Sequence, residues 1–215
     1  MSKIEMRRDG PYVAGQTALL LVDMQRIWLE PGLDPDHPER GPDHYFYRQT
    51  AATTIPNNVK LLAAARAHGI EVLHTIIQSL TEDGRDRSLD HKITPIHVAP
   101  SQPEGLPPPS LAPVGDEILL PKTSSGVFNS TNIDYLLKNL GIRNLIITGI
   151  LTDQCVDMAV RDAADRGYYV TCVSDACCSI TPERHDGALK AFGGYCWVTD
   201  TATVVSRFKA MGERT

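Results

Sequence analysis

The chain has 215 residues, 42% hydrophobic and 22% charged, which suits one α/β domain, or two small ones, and excludes a disordered chain. Lys and Arg total 21 against 26 Asp and Glu, a formal charge of -5 that argues against nucleic acid or an anionic membrane as partner. The longest apolar runs, Thr17 to Val22 and Asn144 to Leu151, are too short to span a bilayer, and residues 1–15 lack the apolar core of a secretory signal, so a cytoplasmic protein is expected.

In chain order, Thr17 to Asp23 reads as a strand buried on both faces. Thr53 to His68 has apolar positions at helical spacing and stops at Gly69. Ile70 to Ile76 is a strand, and Glu117 to Leu120 a short one ending at Pro121. Thr131 to Leu140 is a helix closed by Gly141, Asn144 to Gly149 a strand, and Asp153 to Arg166 a helix closed by Gly167. Tyr168 to Val173 and Cys196 to Thr199 complete about six strands, with helices near Pro182 to Phe192 and Ala202 to Met211. Strands alternating with helices predict a parallel sheet with crossover helices, in a single domain over residues 1–215. Two segments break the rhythm. Trp28 to Tyr47 is rich in Pro, Gly, Asp and His, and Gln78 to Gly115 is polar and then proline-rich; loops of this length are functional or flexible.

The five cysteines are odd in number and show no zinc spacing, so neither a disulfide framework nor a structural metal site is expected. Cys172, Cys177, Cys178 and Cys196 read as small buried hydrophobes. Cys155 is different, because it opens a helix just after a strand. Ligands of open parallel sheets bind beyond the carboxyl ends of strands, where Asp23, Lys122 and Cys155 all fall. A thiol at a helix N-terminus is expected to have a lowered pKa. A neighbouring carboxylate can take its proton, and a lysine can hold that carboxylate ionised. Each residue has a plainer reading: Asp23 as the N-cap of Met24 to Trp28, Lys122 as a solvated lysine, Cys155 as core. Spacing leaves both sets open.

Leu21-Val-Asp-Met-Gln25, Leu120-Pro-Lys-Thr-Ser-Ser-Gly126 with Phe128-Asn129, and Thr148-Gly-Ile-Leu-Thr-Asp-Gln-Cys-Val156 resemble, in order, three signature segments of the isochorismatase-like cysteine hydrolases. The resemblance runs from about Thr17 to Val205. It implies a three-layer α/β/α fold around a six-stranded parallel sheet and a catalytic triad of Asp23, Lys122 and Cys155. It also implies a cis peptide at Ile150-Leu151 and an oxyanion hole from the Leu151 and Cys155 amides. The implied reaction is cysteine-dependent hydrolysis of a C–N bond through a thioester, needing no cofactor. A homodimer or homotetramer is implied as well.

Departures from the family pattern narrow the choice. Nicotinamidases of this family carry a metal-binding Asp-x-His cluster after the second strand, which His74 to Gly84 lacks, so no metal site is expected and His74 reads as a hydrogen-bonded core residue. Isochorismatases proper lack the cysteine. The segment from Gly126 to Thr131, and more loosely Leu89 to Thr94, resembles ureidoacrylate amidohydrolases and related carbamoyl-amide hydrolases, which implies a small amide or ureido substrate bearing a carboxylate. Arg85, Arg87 and Lys92 are candidate carboxylate anchors, though each suits a solvated loop. Gln25, Trp28, Tyr45, Phe128 and Asn129 are candidate pocket lining, Trp28 and Phe128 suiting core packing equally; His91 and His97 receive no role. The alternatives are a vinyl-ether hydrolase using Asp23 as general acid, a catalytically inactive oligomeric binding subunit, and a redox-sensing Cys155.

Overall fold

A computed structural model describes residues 7–34 and 37–211. Residues 1–6, part of the segment on which the targeting expectation rests, lie outside it, as do residues 35–36 of the first long loop and 212–215.

β1 (Thr17–Val22) is buried along its whole length. Its alternate side chains face opposite ways, as a pleated strand requires: Ala18, Leu20 and Val22 enter one core, Leu19 and Leu21 the other. After it come α1 (Arg26–Leu29), α2 (Tyr45–Gln49), α3 (Ile55–Ala67), β2 (Glu71–Ile77), α4 (Leu89–Ile93) and β3 (Ile118–Lys122). The second half runs α5 (Val127–Ser130), α6 (Ile133–Asn139), β4 (Asn144–Ile150), α7 (Asp157–Asp165), β5 (Tyr169–Cys178), α8 (Pro182–Phe192), β6 (Trp197–Thr199) and α9 (Thr201–Ala210). The strands form one parallel sheet in the order β3-β2-β1-β4-β5-β6. Leu61, Leu62, Val204 and Phe208 from α3 and α9 cover one face; Ile133, Leu137, Val160 and Phe192 from α6, α7 and α8 cover the other. This is a three-layer α/β/α domain.

The chain winds outward from β1 in one direction and from β4 in the other, so β1 and β4 flank the crevice where such sheets bind ligands. Gly149 lets them meet there. It has φ 115°, and a Cβ at this position would lie 2.1 Å from the Val22 carbonyl oxygen, a contact no side chain tolerates.

The elements depart from the sequence expectations in places. β3 does not stop at Pro121 but continues to Lys122, because it is an edge strand and the missing proline N–H costs no ladder bond. β5 runs past Val173 to Cys178 through a bulge, where the pairing jumps from Ile147–Cys172 to Gly149–Cys177. The freed Asp175 and Ala176 carbonyls accept from the Asn57 and Asn58 amides of α3 (2.9 and 2.8 Å), and the Asp175 carboxylate accepts from Thr201 at the start of α9. Residues Thr50–Thr54 and Thr152–Val156 form single π-helical turns ahead of α3 and α7. No helix among the described residues is long and apolar enough to cross a membrane.

Candidate active site

Three strand ends deliver the reactive groups. Asp23 leaves β1 with φ 54°, so its amide reaches the Thr75 carbonyl of β2 (3.0 Å) while its Oδ1 accepts from the Thr75 hydroxyl (3.1 Å). It caps no helix: Gln25 occupies the position before α1. Lys122, at the end of β3, is fully buried and not solvated. Its Nζ lies 2.9 Å from Asp23 Oδ2, 3.0 and 3.2 Å from the Ser124 and Ser125 carbonyls, and 3.4 Å from Cys155 Sγ. Oδ2 is buried against that ammonium as a close ion pair. Cys155 stands in the π-helical turn after β4, 5% exposed, and the Ile150–Leu151 peptide before that turn is cis. The Leu151 carbonyl closes the turn by accepting from the Gln154 and Val156 amides.

The electrostatics run against one expectation. Burial pushes the Cys155 thiol up to about 12; the Lys122 charge pulls it down, but Asp23 adds to the rise through its charge and a hydrogen bond with the thiol. Desolvation therefore outweighs any lowering from the helix dipole, and the resting group is a thiol. For Lys122, burial opposes the charge, yet Asp23 and Cys155 more than offset it, so its pKa lies above the ordinary lysine value and it stays an ammonium.

A cavity of about 330 Å³ opens on Cys155 and Asp23. Ile77, Ile150, Leu151, Phe46 and Tyr47 give it apolar walls, while Asp34, His37, Arg40, Gln154 and Arg184 supply polar groups. Arg40 lies 3.8 Å from Asp34, and Arg184 pairs with Asp153, which also accepts from Ser179. An open groove lined by Asp90, Ser125, Asp157 and Arg161 adjoins it, sharing Thr94, Ile96 and Gln154.

Of the other candidates, only Trp28, with Ile150 and Leu151, lines this cavity. Gln25 is buried and spends its side chain on structure. Its Nε2 donates to the Ile77 and Gly105 carbonyls, and its Oε1 accepts from the Ile77 amide and the Trp28 indole. Tyr45, the first residue of α2, packs partly buried at the edge of the core. Phe128 is core, between the Tyr168 ring and the Arg166 guanidinium, and Asn129 is exposed. The long-loop cations lie elsewhere. Arg85 pairs with Asp83 in solvent, Arg87 ties the Gly84 and Ile96 carbonyls, and Lys92 donates to the Arg85 carbonyl. The cavity's guanidinium groups are Arg40 and Arg184 instead. Sequence marked the loop holding Arg40 as functional or flexible, but nothing in its pattern singled out that side chain, and Arg184 reads as an ordinary first-turn residue of α8.

His74 is buried in β2, its Nε2 3.3 Å from Glu117. Among the described residues no group of three or more His, Cys, Asp and Glu is placed to hold a metal ion.

Residues 17–203 match the isochorismatase domain. Ureidoacrylate amidohydrolase RutB of Agrobacterium fabrum is 31% identical over 214 residues, covering 89% of this chain and 91% of its own. A probable inactive nicotinamidase of Arabidopsis thaliana is 28% identical over 79% of this chain and 84% of its own. A crystal structure of a cysteine hydrolase from Pseudomonas syringae pv. phaseolicola superposes with a TM-score of 0.83 at 26% identity, over 98% of this chain and all of that one. The chain belongs to the isochorismatase family of hydrolases.

Proposed function

We propose that this member of the isochorismatase family is a cysteine-dependent amidohydrolase that cleaves the C–N bond of a small amide or ureido compound carrying a carboxylate. One observation supports it above the rest: a thiol, a carboxylate and an ammonium, all buried, meet at the floor of a cavity of about 330 Å³. Burying this set is costly unless the charges are used together.

Because the resting sulfur is protonated, attack and deprotonation are coupled. Asp23 takes the Cys155 proton as the sulfur bonds to the substrate carbonyl carbon, and Lys122 holds the charge that moves between them. The Leu151 and Cys155 amides receive the oxyanion. Collapse breaks the C–N bond, Asp23 returns the proton to the departing nitrogen, and an acyl thioester remains. Water, deprotonated by Asp23, attacks the thioester and frees the acid and the thiol. The similarity to ureidoacrylate amidohydrolases favours a urea or amide as the reacting end, with ammonia or an amine as the leaving group. Arg40 and Arg184 in the cavity wall suit the carboxylate, since a guanidinium fork matches its two oxygens.

Ammonia release from a panel of small amides and ureido acids, with wild type and Cys155→Ala side by side under chelator, tests this reading. Turnover that survives chelation and disappears in the variant is expected. Ammonia release that persists in Cys155→Ala refutes the thioester, whereas no ammonia from any compound, with slow alkylation of Cys155, moves the assignment to ether hydrolysis with Asp23 as general acid or to a non-catalytic subunit.

A further inference from the structure

α4 buries and exposes the wrong residues for an ordinary surface helix. Leu89 and Ile93 are each 72% exposed, while His91 between them is 0% exposed. The helix gives up apolar burial to insert an imidazole, and no step of the reaction above uses that imidazole.

What the imidazole reaches is the loop that holds Lys122. Ser88 donates its amide to the Thr123 carbonyl (2.9 Å), and its hydroxyl caps the His91 amide (3.2 Å). His91 Nε2 then lies 3.3 Å from Ser125 Oγ. Ser125 and its neighbour Ser124 present the two carbonyls that accept from Lys122 Nζ. α4 thus clamps the segment 123–125 at two points, and Lys122 hangs from that segment.

We propose that His91 is a positioning residue: through Ser125 it fixes the carbonyls that aim the Lys122 ammonium at Cys155 and Asp23. The partners assign the tautomer. With the proton on Nε2, the ring donates to Ser125 Oγ and leaves Nδ1 a bare acceptor, which costs less than a buried orphan donor. The clamp needs the neutral ring, since a second proton would create that orphan donor and set a cation against Lys122. Burial lowers the His91 pKa and Lys122 adds to this; Asp90 on its own helix and Asp23 from β1 oppose it, while Arg87 works with Lys122.

The inference rests on reading Lys122 as the partner of the Cys155 thiolate, so its test reads the thiol and needs no substrate. In the full-length protein, iodoacetamide alkylation of Cys155 is followed peptide by peptide from about pH 6 to about pH 10. An ammonium held less firmly stabilises the thiolate less, so His91→Ala is expected to slow alkylation at a given pH by about three- to tenfold. His91→Gln, which can offer an amide N–H to Ser125, recovers most of the rate. Ser125→Ala keeps the imidazole and the carbonyl but removes their link, and it reproduces the slowing even if His91→Ala does not fold. Profiles of His91→Ala and Ser125→Ala that superimpose on wild type, or faster alkylation, overturn the proposal. Equal slowing in His91→Ala and His91→Gln does so too, since packing alone would explain it. The expected slowing without turnover of any amide counts against the amidohydrolase and leaves the positioning role standing.

Discussion

Cys155 and the cysteines around β5 make an internal control. Cys172, Cys177, Cys178 and Cys196 are all less than 4% exposed, and so nearly is Cys155 at 5%. Nor does acidity separate Cys155 from Cys172, Cys178 and Cys196. Burial pushes Cys155, Cys178 and Cys196 each up to about 12, and Cys172 is raised well above the ordinary value by its hydrogen bond with Cys177 and by burial. What differs is the company. Cys155 has an ammonium 3.4 Å away, an aspartate beside it and a cavity in front. Cys178 and Cys196 donate instead to the Ser179 and Phe192 carbonyls, and neither lines the cavity. Reactivity here is a property of neighbours and access, and the resting pKa is a poor guide to it.

The strongest way to break the comparison is to delete each thiol. Cys155→Ala is expected to lower turnover by about 10⁴-fold or more, the scale of losing a nucleophile. Cys172→Ala leaves turnover within about threefold and costs about 1 kcal/mol of stability, as buried truncations do. Ammonia release and urea unfolding on the two variants read both numbers. A large loss of turnover in Cys172→Ala would erase the distinction.

Removing the ammonium should make Cys155 behave like its β5 counterparts. Lys122→Met keeps the volume but leaves the Asp23 carboxylate buried without its cation, which costs about 3–5 kcal/mol at neutral pH. A marked fall in the thermal midpoint, with loss of Cys155 alkylation, is the expected result. If the variant is as stable as wild type, the pair does not carry the charges assigned to it.

The substrate end of the cavity sharpens the comparison less drastically. Arg40→Ala and Arg184→Ala are each expected to raise KM for a carboxylate-bearing substrate about tenfold, with a smaller change in kcat. Arg85→Ala, 73% exposed and outside the cavity, should change neither. An uncharged amide substrate should be insensitive to all three.

These arginines also mark where sequence reading stops. The central strands were legible because each is a short apolar run with burial on both faces, and the convergence of Asp23, Lys122 and Cys155 because they sit at or just after strand ends in signature segments. Which guanidinium enters the cavity was not, because charge in a loop carries no direction: Arg85, Arg87 and Lys92 bind carbonyls and an aspartate of their own loop. The bulge of β5 was hidden for a related reason. Its unpaired carbonyls are satisfied by Asn57 and Asn58, well over a hundred residues away in the chain. Pro121 suggested a strand end, and only the edge position of β3 made it harmless.

A last effect separates burial from reactivity through pH alone. Cys172 holds its proton more tightly in the fold than in the unfolded chain, because Cys177 and burial raise its pKa. A group raised in this way contributes stability that is complete below the unfolded value, near 8.5, and is lost as pH climbs toward the folded value. Above about pH 9, each pH unit should remove about 1.4 kcal/mol that Cys172→Ala does not lose. Wild type is then more stable than the variant at neutral pH, and the two urea midpoints converge between about pH 9 and pH 10. The Cys155 proton is held through burial in the same direction, so Cys155→Ala should flatten the alkaline limb in the same sense while abolishing turnover. A stability difference between wild type and Cys172→Ala that stays constant from pH 7 to pH 10 would show that the β5 thiol shares its proton affinity with the unfolded chain. Cys155 would then be set apart by its acidity as well as by its neighbours.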